Sequence, residues 1–188
     1  MNDTLLLESL HKFYENEYYK KQLLLILKNE KRISLRSIDW FITNYSKKNN
    51  IHYLVYKTVN GRNTFNEKNN ILNLNMNVFL SYKSQLKAYS KKKFDPFCRR
   101  ERILFELDDE SIETTIGQLN FFRWAIENLV IDYIEEHKVK IELDMNTCLK
   151  AMKNSHKKSG SRKKRQELSL SATRGLSRTN IPIQLNFV

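Results

Sequence analysis

The sequence has few of the residues that mark disulfide-rich, fibrous or membrane-spanning proteins. Its 188 residues include two cysteines, two prolines and four glycines. Cys98 and Cys148 lie far apart, so we expect no disulfide framework, and a reducing compartment suits the chain. The low glycine and proline content excludes a fibrous or loop-rich protein. No stretch of 18 apolar residues occurs, so we expect no membrane span.

Signals of targeting and catalysis are scarce as well. The N-terminal apolar run has no basic residue ahead of it, so we expect no signal peptide. No P-loop, GxGxxG or CxxC motif is present, and the four histidines are scattered. The acids at 108–113 would suit Mg²⁺ in a nuclease, but a solvated linker beside a helix N-terminus is the simpler interpretation. We therefore expect a non-enzymatic protein with no metal and no cofactor.

Positive charge is in excess, and it is unevenly placed. The chain carries a net charge of +12. Residues 82–102 hold eight basic and two acidic side chains, and residues 153–188 hold nine and one. Residues 103–152 are acidic, with eleven acidic and four basic side chains. Because clustered positive charge attracts polyanions, this distribution predicts a nucleic-acid partner, with DNA as the first expectation.

The stretch 82–102, YKSQLKAYSKKKFDPFCRRER, is the first predicted contact surface. Its cations alternate with aromatic residues, including Tyr89 and Phe94. Basic side chains release counterions from phosphates, and aromatic rings stack on bases or pack in a core. A solvated helix with core aromatics is the alternative interpretation. The residues predicted to neutralise phosphates are Lys83, Lys87, Lys91, Lys92, Lys93, Arg99 and Arg100.

A second basic segment, residues 154–180, predicts a flexible arm because its composition is too polar to form a core. It also suits a nuclear-import signal. The predicted contact residues of this arm are Lys157, Lys158, Arg162, Lys163, Lys164 and Arg165. The final residues, 181–188, alternate in polarity and predict a strand that returns to the sheet or adds to the edge of a neighbour.

The patterning predicts an α+β fold, in which a small, mostly antiparallel sheet packs on a central helix and a basic C-terminal arm follows. Residues 1–33 are expected to be a helical segment, with helix over 4–29 and a polar interruption at ENEYYKK. Residues 34–153 are expected to be the core domain. Ser34 should cap a helix over 35–48.

Within this core domain, the helix expected over 78–92 would align Lys83, Lys87 and Lys91 on one face. Thr115 and Gln118 have the spacing of a capping box, which opens the predicted central helix at 116–137. Residues 108–115 are expected to be a polar linker, and a short helix is expected at 145–155. Strands are predicted at 51–58, 72–78, 102–107 and 139–144.

Three stretches together resemble a known group of proteins: SIDWFITNYSKKNNI (37–51), SYKSQLKAYSKKKFDPFCRRERI (81–103) and ETTIGQLNFFRWAIENLVIDYI (113–134). They are similar to a conserved, poorly characterised family of small basic proteins of nucleocytoplasmic large DNA viruses, the iridovirus and giant-virus group. The resemblance covers most of residues 34–188. It implies a virus-encoded protein that acts with viral DNA in the host cytoplasm or nucleus, at the virus factory, or inside virions.

Two functions fit these expectations. The first is non-enzymatic nucleic-acid binding in genome packaging, the virion core or transcription, with viral capsid, core or transcription proteins as further partners. The alternative is a structural virion protein, such as a minor capsid or scaffold component. In that case the basic arm and the terminal strand would make contacts between proteins.

Overall fold

A computed structural model describes the backbone of residues 3–28, 30–58, 63–65, 70–107 and 110–158. Side chains are described at the same positions except 70–73, 110 and 152–158. The predictions for Arg162 to Arg165 and for the terminal strand lie outside the described residues. Residues 1–150 form one compact unit, and a second unit begins at residue 151. The division into four segments stays a prediction.

The N-terminal segment folds as two helices, α1 (Asp3–Tyr14) and α2 (Glu17–Leu27). The polar interruption between them is confirmed. It is stabilised by Asn16, whose side chain accepts a hydrogen bond of 3.0 Å from the backbone N–H of Tyr18 and so caps α2. Leu6, Leu10 and Tyr14 recur every four residues on α1, and all three are buried.

The next helical stretch comprises α3 (Leu35–Trp40), a π-helical turn (Phe41–Tyr45) and α4 (Ser46–Lys48). The predicted cap is confirmed, since the Ser34 hydroxyl oxygen accepts a hydrogen bond of 3.0 Å from the N–H of Ser37. The π-helical turn adds one residue to the helical turn.

A three-stranded antiparallel sheet follows, in the order β2 (Asn63–Thr64), β1 (His52–Thr58), β3 (Asn70–Asn77). The strands expected at 51–58 and 72–78 are confirmed. Val55 and Met76 face the core, while Asn75 on the other face of β3 is exposed. Leu74, two residues before Met76, is 55% exposed, so the alternation that a period of two predicts holds only at the end of β3 next to Val78.

A hairpin of β4 (Ile103–Leu107) and β5 (Glu110–Thr114) forms the second sheet. The strand expected at 102–107 is confirmed, but the polar linker expected at 108–115 is wrong over 110–114. The backbone of β4 needs hydrogen-bond partners, and β5 supplies them whatever side chains it carries. An ion pair between Arg102 and Glu113 adds to the pairing.

Helix α6 (Ile116–Glu127) lies at the centre of the core, as expected, and nine of its twelve residues are buried. The Thr115 cap is confirmed by a hydrogen bond of 3.1 Å from the N–H of Gln118 to the hydroxyl oxygen. The expected length is wrong, because α6 ends at Glu127. Leu129 then adopts a positive φ of 54°, which separates α6 from the next helix.

The strand expected at 139–144 is wrong, because these residues belong to α7 (Val130–Lys158), a helical stretch that is kinked at His137 and that also includes the short helix expected at 145–155. Beyond the kink, Ile141 and Met145 are buried and lie four residues apart, as one face of a helix requires. The alternation read as a strand arises because Val139 and Leu143 are exposed on this helix. With these corrections, the α+β fold class is confirmed.

Candidate nucleic-acid interface

The first predicted contact surface falls on α5 (Val78–Tyr89) and on the segment that follows, residues 90–102, here named the basic loop. Helix α5 ends earlier than expected, because Ser90 adopts a φ of 58° that no helix accommodates. Lys91 therefore lies outside the helix, and the expected row of Lys83, Lys87 and Lys91 on one helical face is wrong. Lys83 and Lys87 do lie four residues apart on α5.

A buried aromatic side chain anchors the basic loop. Phe94 is fully buried, and its ring centroid lies 5.5 Å from that of Trp124 and 5.2 Å from that of Phe121, both on α6. Tyr82 on α5 packs against the same ring at 6.0 Å. Tyr82 and Phe94 are thus core residues, as the alternative interpretation held, and they leave no ring face of Phe94 for a base.

Polar side chains of α6 hold the backbone of the basic loop. Asn120 Nδ2 donates to the carbonyl of Lys93 at 2.8 Å, and Gln118 Nε2 donates to the carbonyl of Pro96 at 2.9 Å. Both side chains are buried. These contacts satisfy loop carbonyls that are turned away from water, so they fix the path of the loop.

Gly117 allows the basic loop to approach α6 closely. A Cβ atom at this position would lie 3.0 Å from the carbonyl oxygen of Lys92. The backbone N–H of Asp95 donates to the carbonyl of Gly117 at 3.2 Å, so the two chain segments are in direct contact. The sequence alone does not identify the neighbour of Gly117.

Arg99 is engaged within the protein. Its guanidinium makes two hydrogen bonds to the Asp95 carboxylate, of 3.0 Å from Nε and 2.6 Å from Nη2. These bonds raise the pKa of Arg99. The guanidinium also lies 4.6 Å from the ring centroid of Phe97. Because Asp95 is only 8% exposed, Arg99 serves first to compensate a buried carboxylate.

A second carboxylate lies near this pair. Burial raises the pKa of Asp39 on α3, and the nearby Asp95 raises it further, while Arg99 and Lys91 lower it. Lys93 is also engaged, through an ion pair with Asp3 of α1. These acids reduce the positive potential of the loop on the sides where they lie.

Three cations of the basic loop remain available to contact a partner: Lys91, Lys92 and Arg100. All three are exposed, and none forms an ion pair with another residue in the described part of the chain. Lys91 and Arg100 line a hollow of about 350 Å³ beside Arg99, and Lys92 and Arg100 line an adjacent hollow of about 490 Å³. Arg100 thus borders both hollows, and the second one opens onto the first residues of α6.

The other predicted contact residues are more scattered. The Lys83 ammonium lies 5.8 Å from the ring centroid of Phe79, and Lys47 of α4 lies 5.6 Å from the same ring. Lys47 was not among the predicted residues, and only the folded chain places it here. Lys157 and Lys158 occupy the last turn of α7, but their side chains lie outside the described residues.

The described residues contain no group of three His, Cys, Asp or Glu side chains that would hold a metal ion. Cys98 and Cys148 are both free thiols and both half-buried. No helix in the described ranges is apolar over a length sufficient to cross a membrane.

A family described as of unknown function, DUF7197, matches residues 2–158. The chain belongs to this family. It is also 40% identical, over 171 residues, to the protein described as "Uncharacterized protein L507" of Acanthamoeba polyphaga mimivirus. That match covers 87% of this chain and 60% of the relative, so the chain spans about three fifths of the relative's length. No solved structure matches the chain.

The resemblance to a poorly characterised giant-virus family is confirmed by these DUF7197 and mimivirus matches. They support a viral origin for the chain. The iridovirus side of the resemblance and the basic character of the family stay predictions.

Proposed function

We propose that this DUF7197 member is a non-enzymatic, virus-encoded nucleic-acid-binding protein, with DNA as its partner, and that the basic loop is the contact surface of its folded part. The proposal rests on one observation. Lys91, Lys92 and Arg100 are exposed and unpaired within the described residues, on a loop whose backbone is held by buried side chains of α6.

The fixed backbone of the basic loop favours binding to a polyanion because it lowers the entropy cost of binding. A flexible basic segment loses conformational freedom when it meets a polyanion, whereas a loop that is already ordered loses little. The three cations then gain counterion release from the phosphates. In this proposal Lys83 and Lys87 extend the surface along α5, and the arm residues from Lys157 to Arg165 add a second contact.

The proposed roles are genome packaging, the virion core and transcription, all of which bring a protein to viral DNA. The proposed places are the virus factory in the host cytoplasm or nucleus, and the virion. Binding through the basic loop should depend little on base sequence, because phosphate contacts carry no sequence information.

A salt titration of binding to duplex and single-stranded DNA tests the proposal with the full chain. The variant Lys91→Gln, Lys92→Gln, Arg100→Gln is expected to bind more weakly. Its slope of log affinity against log salt should fall by about 2 to 3, since each phosphate that is no longer neutralised lowers the slope by about one. The matched control is Lys12→Gln, Lys21→Gln, Arg36→Gln, which removes the same charge from exposed side chains elsewhere.

A third variant separates the basic loop from the arm. It replaces Arg162, Lys163, Lys164 and Arg165 with Gln in the full chain. If this variant keeps measurable binding that the loop substitutions abolish, the loop is a contact surface. If the loop and control triples bind equally well, the loop has no such role and the proposal fails.

The structural virion protein is the second candidate, and one observation favours it. Val139 and Leu143 lie one turn apart on α7 with exposed fractions of 80% and 67%, an apolar pair that suits a contact with another protein. Val139→Ser with Leu143→Ser should then reduce incorporation into purified virions, while Leu5→Ser on α1 should not. Incorporation that is unchanged in the double variant would exclude this pair as the contact.

A further inference from the structure

A polar hollow of about 320 Å³ lies between α1, α5 and α6. It is distinct from the two hollows of the basic loop, although it shares a border with the loop. The side chains that matter for its chemistry are Gln85, Tyr89, Asn120, Arg123, Glu127 and Asn128. Its volume is at the lower end of the range of about 300 to 1,000 Å³ for ligand pockets, so it suits a small molecule or group.

Several polar groups at this hollow have unused hydrogen-bonding capacity. Asn120 is only 4% exposed, and its amide nitrogen is committed to the Lys93 carbonyl. Within the described residues, the Asn120 carbonyl oxygen, the Gln85 amide and the Tyr89 hydroxyl make no hydrogen bond. A polar atom buried without a partner is uncommon, so Asn120 points to a ligand or water in the hollow.

Arg123 and Glu127 give the hollow a fixed charged pair. Arg123 Nη1 donates to the Ser9 hydroxyl at 2.8 Å, and Arg123 Nε lies 3.6 Å from Glu127 Oε2. The guanidinium also lies 5.1 Å from the ring centroid of Phe13, which holds its plane. Burial raises the pKa of Glu127, and the adjacent guanidinium lowers it. The hollow therefore has a hydrogen-bond donor, the Arg123 guanidinium, next to an acceptor, the Glu127 carboxylate.

These groups select a class of ligand. A carboxylate at the wall disfavours a phosphate, and amides, a hydroxyl and a guanidinium disfavour a hydrocarbon. A flat, neutral group with donors and acceptors along one edge suits them best, because amide side chains pair with such edges. A nucleobase has these properties, and Tyr89 supplies an aromatic ring beside it.

The hollow adjoins the basic loop through two of its lining residues. Tyr89 is the last residue of α5, directly before the loop, and Asn120 contacts both the hollow and Lys93. We propose that the hollow binds one unpaired base of a single-stranded nucleic acid whose phosphates contact the basic loop. This inference rests on the proposed function and adds to it a preference for unpaired over paired strands.

The test uses nucleosides, which carry no phosphate, together with short single-stranded and duplex DNA. Nucleosides should shift the side-chain amide NMR signals of Gln85 and Asn120 in the full chain, with little dependence on salt. Gln85→Leu should weaken single-strand binding by about tenfold, because it removes the hydrogen bonds to the base. It should leave duplex binding and the salt slope unchanged. Gln22→Leu, the same change at a half-buried position of α2, is the control.

Tyr89→Phe keeps the ring that packs at 6.4 Å from Phe94 and removes the hydroxyl alone, so it tests the hollow without disturbing the core. If neither variant changes single-strand binding and nucleosides shift no signal, while the loop triple still weakens binding, the base site is overturned and the proposed function stands. If nucleosides bind in a Gln85-dependent way but the loop triple binds DNA normally, the base site stands and the proposed phosphate surface fails.

Discussion

The side-chain amide of Asn120 donates a hydrogen bond of 2.8 Å to the main-chain carbonyl of Lys93. A residue of the core helix α6 thereby fixes a loop whose adjacent side chains, Lys91 and Lys92, extend into solvent. Positive charge on a fixed backbone differs from a solvated charge run, because its geometry is set before any partner arrives. The attachment of the loop to α6 should therefore affect both stability and DNA binding.

Asn120→Ala removes the hydrogen bond and leaves the Lys93 carbonyl without its partner. We expect the free energy of unfolding to fall by about 1 to 3 kcal/mol, the cost of an unsatisfied buried group. Hydrogen exchange at the amides of the basic loop should become faster. Asn75→Ala, on the exposed face of β3, is the control and should change stability by less than about 0.5 kcal/mol. Unchanged exchange in the loop would mean that Asn120 does not hold it.

Arg99→Gln and Arg100→Gln form a matched pair of adjacent substitutions. Arg99 compensates the buried Asp95 carboxylate, so its loss should lower the free energy of unfolding by about 1 to 2 kcal/mol, a value reduced because Arg99 itself is exposed. Arg100 is exposed and has no ion pair within the described residues, so its loss should cost less than about 0.5 kcal/mol. Equal effects in urea unfolding would contradict this assignment of roles.

The same pair should show the opposite order in DNA binding. Arg100→Gln is expected to reduce affinity and to lower the salt slope by about one, because its side chain is available to a phosphate. Arg99→Gln should change the slope less, since its guanidinium is committed to Asp95. A larger slope change for Arg99→Gln would show that the ion pair opens when DNA binds.

Gly117→Ala should change the free energy of unfolding through two opposing effects. Alanine favours a helix over glycine by about 1 kcal/mol. However, its Cβ would lie 3.0 Å from the Lys92 carbonyl, and crowding of this kind typically costs about 1 to 3 kcal/mol. Because the loop backbone is held on both sides, we expect a net loss of about 1 kcal/mol in urea unfolding. A variant that is more stable than the parent would show that the backbone of the basic loop shifts to make room for the added Cβ atom.

Asp144 on α7 links pH to stability. Hydrogen bonds from Lys48 at 2.6 Å and from Trp40 at 3.1 Å lower the pKa of its carboxyl. A carboxyl with a folded-state pKa below its unfolded value of about 3.9 adds stability above that pH, and the stability is lost as pH falls through the folded pKa. Asp144→Asn should therefore lower the urea midpoint near neutral pH and differ less from the parent below about pH 4.

Unfolding curves recorded across this pH range check the prediction, and Glu106→Gln, at an exposed position of β4, is the control. A difference between Asp144→Asn and the parent that stays constant with pH would contradict the role assigned to Lys48.

Local signals in the sequence determined the elements that depend on neighbouring residues. Ser34 and Thr115 identified helix starts, because a hydroxyl caps a helix within three residues of itself. The existence of β3 and the central position of α6 followed from hydrophobic patterning in the same way. The basic content of residues 82–102 was also visible directly.

Contacts between distant residues were decided only by the tertiary structure. Residues 139–144 alternate like a strand, yet Ile141 and Met145 are buried while Leu143 between them is exposed, and this spacing is that of a helix. The acidic segment 110–114 pairs with β4 because the hairpin provides its backbone partners. Acids that are remote in the chain likewise decide which cations can contact a partner. Asp3, for example, forms an ion pair with Lys93. Local patterning thus determined the helix starts and the charge, while packing decided the state of residues 139–144 and which cations stay free of ion pairs within the described residues.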